Sequence, residues 1–449
     1  MQQNTTQPVA IKQQLSLIDA IAIIVGLVIG AGIFATPSLV AANTSTDFAF
    51  IIAWILGGVV SLIGALCYAE LTTAFPNAGG DYHFIRLAYG KNPAFLFAWA
   101  RMSIIQTGSI ALLAFIFGDY LSQIYSFGEY SSVIYAAIVI IILTGINIGG
   151  IGLGTGAQKL FTMAEVAGAL LIVVAGLFFV PEPAAAAVVT ESSEQSGSLM
   201  GLAMVFVLLT FGGWNEAAYI SAEIKPGKNN MVKALVISII LITIIYLLMN
   251  VAYLRALGHQ GMAESKAVGA DLMELAWGNT GVWLIGVLVA VSALTSANAT
   301  IFTGARTNYA LGKDYKMLSF LGKWNYKTSG PVNAFLVQGV ISLALVSLGI
   351  FTRSGFEAIV EYTAPVFWLF FLSCGIALFI LRKKHPDTAR PFRVPLYPVL
   401  PLIFCLSSAY LLYSSLMYTG LGALVGIAVL AVGVIMLFIF RNRADKKDR

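Results

Sequence analysis

The stretch Leu15–Ala42 reads LSLIDAIAIIVGLVIGAGIFATPSLVAA, an apolar run with three consecutive small residues, Gly30–Gly32, in its middle. A second apolar stretch, Leu199–Ala222, is interrupted in the same way at Phe211–Trp214, which reads FGGW. A helix in lipid must satisfy its own backbone hydrogen bonds, so a break at mid-depth is tolerated only where the freed groups face protein, water or a ligand. Paired breaks of this kind point to the binding site of a transporter.

Composition places the chain in a lipid bilayer. Of its 449 residues, 59% are hydrophobic and 10% are charged, whereas a soluble domain carries about 25% charged residues. Stretches of about 20 apolar residues indicate membrane-spanning helices. They predict an all-α polytopic membrane protein with twelve transmembrane helices, at residues 15–42, 47–74, 93–125, 131–149, 158–180, 199–222, 232–257, 280–310, 331–351, 356–381, 397–417 and 419–440.

The basic residues predict how the chain is oriented. With both termini in the cytoplasm, nearly all of the 26 Lys and Arg lie on the inner side, and only Arg255, Lys266 and Arg353 lie outside. This asymmetry follows the positive-inside rule, so the net charge of +5 reflects topology rather than nucleic-acid binding. We expect a multi-pass protein of the cytoplasmic membrane. The first apolar stretch is too long for the core of a signal peptide and should remain as a span.

The spacing of the two breaks predicts the internal organisation. They lie in the first and the sixth span, five spans apart. This spacing indicates two five-helix halves of inverted topology, at residues 1–180 and 199–381, followed by two additional helices in 397–440. The whole chain, 1–449, is then one transmembrane domain that ends in a basic cytoplasmic tail, 441–449.

Short motifs occur in a fixed order along the chain, from about residue 11 to about residue 400. They are GLVIGAGIF at 26–34, CYAEL at 67–71, GGDY at 79–82, FGGWN at 211–215, SAN at 296–298 with FT at 302–303, and RPFRVP at 390–395. In this order they resemble signatures of the amino acid–polyamine–organocation superfamily, in particular its L-type amino acid transporter branch. The resemblance implies a secondary transporter that works by alternating access.

The two breaks supply the groups that an amino acid zwitterion requires. The amides of Gly30–Gly32 begin a half-helix, whose N-terminal dipole favours a carboxylate. The carbonyls of Leu209, Thr210 and Gly212 end a half-helix and suit an ammonium group. The alternative is that these glycines only allow close helix packing. The candidate substrate-binding residues are Ile29, Gly30, Ala31, Gly32, Ile33, Leu209, Thr210, Gly212, Trp214, Asn215 and Glu216.

Two of these residues depart from the resembled branch and bear on the substrate. Leu209 stands where that branch usually has an aromatic residue, and Glu216 stands where it usually has an uncharged one. The apolar neighbours Ile29, Ile33 and Trp214 favour neutral amino acids as the cargo. The carboxylate of Glu216 keeps open the alternatives of cationic amino acid or polyamine transport, of proton exchange, and of a structural role in which hydroxyl groups hold it.

Arg101 in the third span and Glu165 in the fifth form a second departure. The resemblance places an acidic residue at the first position and a lysine at the second. At about 1.5 Å per residue, the two side chains lie at matching depths within about a turn. A charge swap that preserves an intramembrane ion pair would leave neither charge unpaired. We therefore predict that Arg101 and Glu165 form such a pair and take part in coupling, with exchange, proton and sodium coupling all open.

No catalytic residue, metal site or cofactor is predicted. The three His lie in loops, and the three Cys fall in predicted spans without the spacing of metal ligands. An intramembrane enzyme is therefore not expected. A channel and a receptor-like sensor that binds an amino acid without moving it are the alternatives from other classes.

The expected partners are a small amino acid substrate and the lipid bilayer, with no nucleic acid. In animal members of the resembled branch, a cysteine between the third and fourth spans tethers an auxiliary glycoprotein. The corresponding loop here, residues 122–131, has no cysteine. We therefore expect a prokaryotic host and no obligate heavy-chain subunit.

Overall fold

In the computed structural model the chain is almost entirely helical. The structure describes residues 16–77, 79–149, 155–180, 196–221, 224, 230–325, 330–348, 350, 355–418 and 420–445. The α-helices in chain order are α1 (Leu17–Ile29), α2 (Thr36–Ala42), α3 (Asp47–Ala74), α4 (Gly80–Tyr89), α5 (Lys91–Ala100), α6 (Gln106–Ile124), α7 (Ser131–Ile148), α8 (Thr155–Val174), α9 (Ser196–Thr210), α10 (Ala217–Ile220), α11 (Asn230–Glu264), α12 (Val268–Asp314), α13 (Val332–Leu348), α14 (Gly355–Lys384), α15 (Val399–Tyr418) and α16 (Gly420–Asp445).

Each of the predicted spans corresponds to helical structure, and the second matches α3 at both ends. Within the described ranges, nine helical segments are long and apolar enough to cross a membrane. Three shorter apolar helices, Met200–Thr210, Val332–Ser347 and Gly422–Phe438, lie in the remaining predicted spans. The all-helical polytopic architecture is therefore confirmed, whereas the count of twelve crossings and the inverted repeat stay predictions.

The first span is broken where the sequence predicts. Helix α1 begins with a capping box, in which Ser16 Oγ accepts from the amide of Asp19 and Asp19 Oδ2 accepts from the amide of Ser16. It ends at Ile29, because Gly30 has φ −12° and ψ −178°, outside the helical region. A 3-10 turn over Ala31–Phe34 follows, before α2 resumes the span.

The sixth span is also interrupted. Helix α9 ends at Thr210, and a 3-10 turn over Trp214–Glu216 leads into the short helix α10. Between them, Gly213 has φ +109°, a backbone conformation that side-chain-bearing residues rarely adopt. A Cβ atom at this position would also lie 2.6 Å from the carbonyl oxygen of Leu27. Glycine is therefore required at residue 213 both by the backbone conformation and by the contact.

Several helices depart from regularity along their length. A π-helical turn over Arg101–Ile105 joins α5 to α6 and continues the third span. The short helix α4 lies between the second and third spans. Helix α11 is kinked at Gly258, and α12 is kinked at Trp277–Gly278. Bulges and kinks of this kind redirect the side chains around them, and π-helical turns are frequent at functional sites.

Candidate functional site

The two broken spans meet at their breaks. A Cβ atom on Gly213 would touch the backbone of Leu27 and Val28 in α1, and one on Gly32 would lie 3.7 Å from Cγ2 of Thr210. Gly213 of the second break therefore packs against the backbone at the end of α1, and Gly32 of the first break lies near the side chain of Thr210. We call residues 29–33 together with residues 209–216 the junction. It contains all of the predicted substrate-binding residues.

The side chain of Tyr246 in α11 joins the two breaks. Its hydroxyl oxygen lies 2.7 Å from the carbonyl oxygen of Val28 and 3.2 Å from that of Thr210, so one proton is shared between two helix ends. Sequence reasoning missed this residue. The available signal was a polar atom in an apolar run, which in a membrane helix indicates a partner or a function.

Two of the three carbonyls predicted to bind an ammonium group already accept a hydrogen bond. Leu209 accepts from the amide of Gly212 at 2.9 Å, and Thr210 accepts from Tyr246. Each carbonyl oxygen has two lone pairs and can accept a second hydrogen bond. The side chain of Asn215 is turned toward the break, because its Oδ1 accepts from the amide of Gly213 at 3.3 Å.

Burial differs between the two sides of the junction. On the first span, Ile29, Ala31 and Ile33 are fully buried. The partly exposed members of the junction are Gly32, Leu209, Gly212, Gly213 and Glu216. The accessible part of the junction is therefore provided mainly by the sixth span.

Trp214 is held in an aromatic cluster. Its ring lies edge-on to that of Tyr68 in α3, with centroids 5.1 Å apart, and near the rings of Phe371 and Phe404 at 5.5 and 6.5 Å. A Cβ atom on Gly64 would lie 2.8 Å from the indole, so that glycine makes room for it. The packing fixes the position of the 3-10 turn that follows the break.

Glu216, the last residue of the junction, forms an ion pair with Arg101. The guanidinium Nη1 and Nη2 donate to Oε1 and Oε2 of the carboxylate at 3.0 and 2.9 Å, a bidentate arrangement. The ring of Tyr219 in α10 also lies against the guanidinium of Arg101, with its centroid 4.5 Å from Cζ. The Arg101 side chain is 4% exposed and that of Glu216 is 28% exposed.

This pairing corrects the predicted ion pair between Arg101 and Glu165. Glu165 in α8 instead accepts a hydrogen bond from Ser292 Oγ of α12 at 2.8 Å, and its Oε2 has no hydrogen-bond partner within the described part of the chain. The prediction was wrong because matching depth does not determine the lateral position of a side chain around the bundle. The Arg101 side chain instead reaches Glu216 in the 3-10 turn Trp214–Glu216 and the ring of Tyr219 in α10.

Asp81 of α4, outside the membrane-spanning segments, lies next to the pair. A Cβ atom on Gly80, which has φ +46°, would meet the ring of Tyr219 at 2.8 Å, so the start of α4 packs directly on α10. Burial, followed by the charge of Glu216, raises the pKa of the Asp81 carboxyl to about 7. Asp81 belongs to the motif GGDY, but the spacing of that motif along the chain does not show its proximity to Arg101.

A second buried cluster joins two of the sequence motifs. Glu70 of the motif CYAEL accepts from Nε and Nη2 of Arg382 at 2.7 and 2.5 Å and from the amide of Val394 at 2.7 Å. Nε of Arg390 lies 3.5 Å from Glu70 Oε1. We call Glu70, Arg382, Arg390 and Val394 the inner clamp. It ties the end of α3 to the end of α14 and to the segment that follows α14, and it is separate from the junction.

Comparison with known proteins agrees with this architecture. The model of the amino acid permease family matches residues 15–440. This chain belongs to that family. The permease is 31% identical to the b(0,+)-type amino acid transporter 1 of Mus musculus over 409 residues, which are 90% of this chain and 82% of the relative. It is 30% identical to the large neutral amino acids transporter small subunit 2 of the same species over 442 residues, 96% of this chain and 81% of the relative.

These relatives confirm the resemblance and correct one expectation. The permease family and the transporter names support the prediction of an amino acid transporter of the L-type branch. The expectation that no heavy-chain subunit is needed is contradicted, because a relative that covers 96% of this chain is named the small subunit of a transporter. A missing cysteine in one loop removes one covalent tether and does not prevent subunits from associating through other contacts.

Proposed function

We propose that this permease is a secondary transporter that moves L-amino acids with uncharged side chains across the cytoplasmic membrane by alternating access. The observation that carries the proposal is the direct contact between two interrupted helices, Gly213 against Leu27 and Gly32 against Thr210. Two helix ends in contact concentrate freed backbone donors and acceptors in one place, and lipid-embedded helices tolerate this only where a cavity or ligand uses them.

The amino acid backbone is assigned to the helix ends. The first amides of the turn Ala31–Phe34 would bind the carboxylate, because the first amides of a helical turn lack an intrahelical acceptor and carry the positive end of its dipole. The carbonyls of Leu209, Thr210 and Gly212 would accept from the ammonium group. The assignment places charged substrate groups against backbone dipoles, so the contacts apply to any amino acid.

The substrate side chain is assigned to the apolar residues beside the breaks. Leu209, which is partly exposed, would contact it from the sixth span. Ile29 and Ile33, which are buried in this structure, would contact it from the first span when the junction opens, with Trp214 fixing the turn behind it. These surfaces favour uncharged side chains, because burying an unpaired charge against them is costly. Asn215 and Glu216 directly follow Trp214 and would border the same space.

The membrane topology is proposed from the positive-inside asymmetry and the helix count. Both termini would lie in the cytoplasm, with twelve crossings arranged as two inverted five-helix halves and two additional helices. Single cysteines introduced into successive loops and labelled from one side of sealed vesicles would test it. Labelling of two consecutive loops from the same side would contradict the proposed topology.

The transport proposal is tested in proteoliposomes containing the full chain. Uptake of a labelled neutral amino acid should saturate, and vesicles loaded with unlabelled substrate should accumulate label transiently by counterflow. Running the assay with and without sodium, and with and without a pH gradient, separates exchange from ion coupling. Non-saturating flux would indicate a channel, and binding without flux would indicate a sensor; either result would reject the proposal.

A further inference from the structure

The Arg101–Glu216 pair places two opposite charges at the last residue of the junction, and the two charges differ in their access to solvent. Both carboxylate oxygens of Glu216 accept from the guanidinium of Arg101, and the pair is bidentate. The buried member is the cation, 4% exposed, and the accessible member is the anion, 28% exposed. A ligand in the junction therefore reaches the carboxylate before it reaches the guanidinium.

Arg101 is held in place by contacts that do not involve a ligand. It begins the π-helical turn between α5 and α6, and the ring of Tyr219 lies 4.5 Å from Cζ. A guanidinium stays protonated in a protein at any physiological pH. The positive charge behind Glu216 is therefore permanent and fixed in position.

The third ionisable group nearby is enclosed. Asp81 is 4% exposed, and its neighbour Gly80 packs on Tyr219 of α10, so a ligand in the junction does not reach the Asp81 carboxyl. Burial and the nearby Glu216 raise the pKa of that carboxyl to about 7. The charge that a substrate meets is thus set by Glu216 and Arg101.

We propose that Arg101 determines the substrate specificity of the junction, by neutralising Glu216 and so excluding amino acids with cationic side chains. The inference rests on the proposed transport function and names the residue that sets its substrate class. A lysine or arginine substrate would have to displace the guanidinium of Arg101 from both oxygens of Glu216. Its positive charge would also be repelled by that guanidinium, which stays nearby. Specificity then includes a repulsive element as well as the apolar contacts.

Removal of the arginine should uncover the carboxylate. In Arg101→Met, Glu216 is free to accept from a cationic side chain, and competition by lysine against uptake of a labelled neutral amino acid should strengthen by about 10- to 100-fold. This range converts a charge-assisted hydrogen bond of about 1.5–3 kcal/mol into a ratio of affinities. The double variant Arg101→Met with Glu216→Gln should lose that gain, because neither charge remains.

A matched control removes an arginine from a different buried carboxylate. Arg382→Met breaks the bidentate contact with Glu70 in the inner clamp. It should lower the yield of folded protein and leave the ratio of lysine to neutral amino acid competition as in the wild type. A change of that ratio in Arg382→Met would overturn the inference, because selectivity would then follow general destabilisation.

A second variant keeps the test decisive if Arg101→Met does not fold. Glu216→Gln leaves Arg101 without its anion, so glutamate and aspartate should compete about 10- to 100-fold better than in the wild type, by the same conversion. An unchanged order of competition in folded Glu216→Gln, or in folded Arg101→Met, would overturn the inference while wild-type uptake still supported transport. Absence of saturable uptake by the wild type would instead reject the transport function itself.

Discussion

The junction and the inner clamp each include an arginine–carboxylate pair that joins the first half of the chain to the second. The two pairs differ in which partner is buried. In the inner clamp the carboxylate of Glu70 is 1% exposed and its arginine is 20% exposed. At the junction the arginine is the buried partner and the carboxylate of Glu216 is accessible. The enclosed carboxylate of Glu70 is out of reach of a ligand, whereas the accessible carboxylate of Glu216 can meet one.

The number of partners separates the two pairs further. Glu70 is bonded by the side chain of Arg382 and the amide of Val394, and Arg390 lies beside it. Three hydrogen bonds and a second nearby guanidinium thus compensate the charge of this buried carboxylate. Glu216 has one bidentate partner, and it lies within three residues of a helix break. We therefore expect substitutions in the inner clamp to affect stability and substitutions at the junction to affect transport.

The largest effect is expected from a bulky side chain at the junction. Ala31 is fully buried and begins the turn that follows the first break. Ala31→Leu should abolish transport, because a substrate carboxylate bonded to amides on both sides of this residue leaves no space for the added carbons. Uptake by proteoliposomes, with membrane expression and monodispersity as readouts of folding, checks this.

Ala31→Ser is the control for that substitution, since its side chain adds one atom and should be tolerated. Wild-type uptake rates in folded Ala31→Leu would show that the substrate does not bind across this turn. The junction would then no longer differ from the inner clamp by a role in substrate binding.

The next effect concerns the inner clamp. Glu70→Gln leaves Arg382 and Arg390 without their anion, and removing one partner of a buried ion pair typically costs about 3–5 kcal/mol of stability. We expect a lower thermal midpoint in detergent, with an unchanged order of substrate competition. The exposed residue Glu264, which accepts from Gln260, provides a matched control as Glu264→Gln. A normal midpoint with altered selectivity in Glu70→Gln would reverse the roles of the two clusters.

A smaller effect is expected at the hydroxyl that joins the two breaks. Tyr246→Phe removes the donor shared by Val28 and Thr210. Leaving a buried polar group without its partner costs about 1–3 kcal/mol, so thermal stability and the maximal uptake rate should both fall moderately. Tyr253, in the same helix, is buried, and its hydroxyl has no hydrogen-bond partner among the described residues. Tyr253→Phe should therefore behave like the wild type, and equal losses in both variants would remove the special role of Tyr246.

The smallest effect is the interaction energy between Arg101 and Glu165, which we expect to be close to zero. Because Arg101 contacts Glu216 and not Glu165, the variants Arg101→Met and Glu165→Gln should be additive within about 0.5 kcal/mol in a double-mutant cycle of thermal stability. The cycle of Arg101→Met with Glu216→Gln should show a larger interaction energy. Strong coupling of Arg101 to Glu165 would mean that the pairing changes in another state of the transport cycle.

The sequence by itself determined the features that depend on local backbone physics and on the length of apolar runs. The interruptions at Gly30–Gly32 and Phe211–Trp214 were predictable, because a helix in lipid cannot leave backbone groups unpaired without a purpose. The helical segments were predictable from apolar runs long enough to cross a bilayer. The motifs identified the family and located the junction along the chain.

Only the tertiary structure decided which side chains meet within the bundle. Sequence spacing gives the depth of Arg101 and Glu165 along the membrane normal, but it carries no information on how far around the bundle each side chain points. The shared donor Tyr246 lies 36 residues from Thr210 and 218 from Val28, and Glu70 finds Arg382 across 312 residues. Such pairs depend on the packing of distant helices, and that packing is set by many contacts at once rather than by any local pattern.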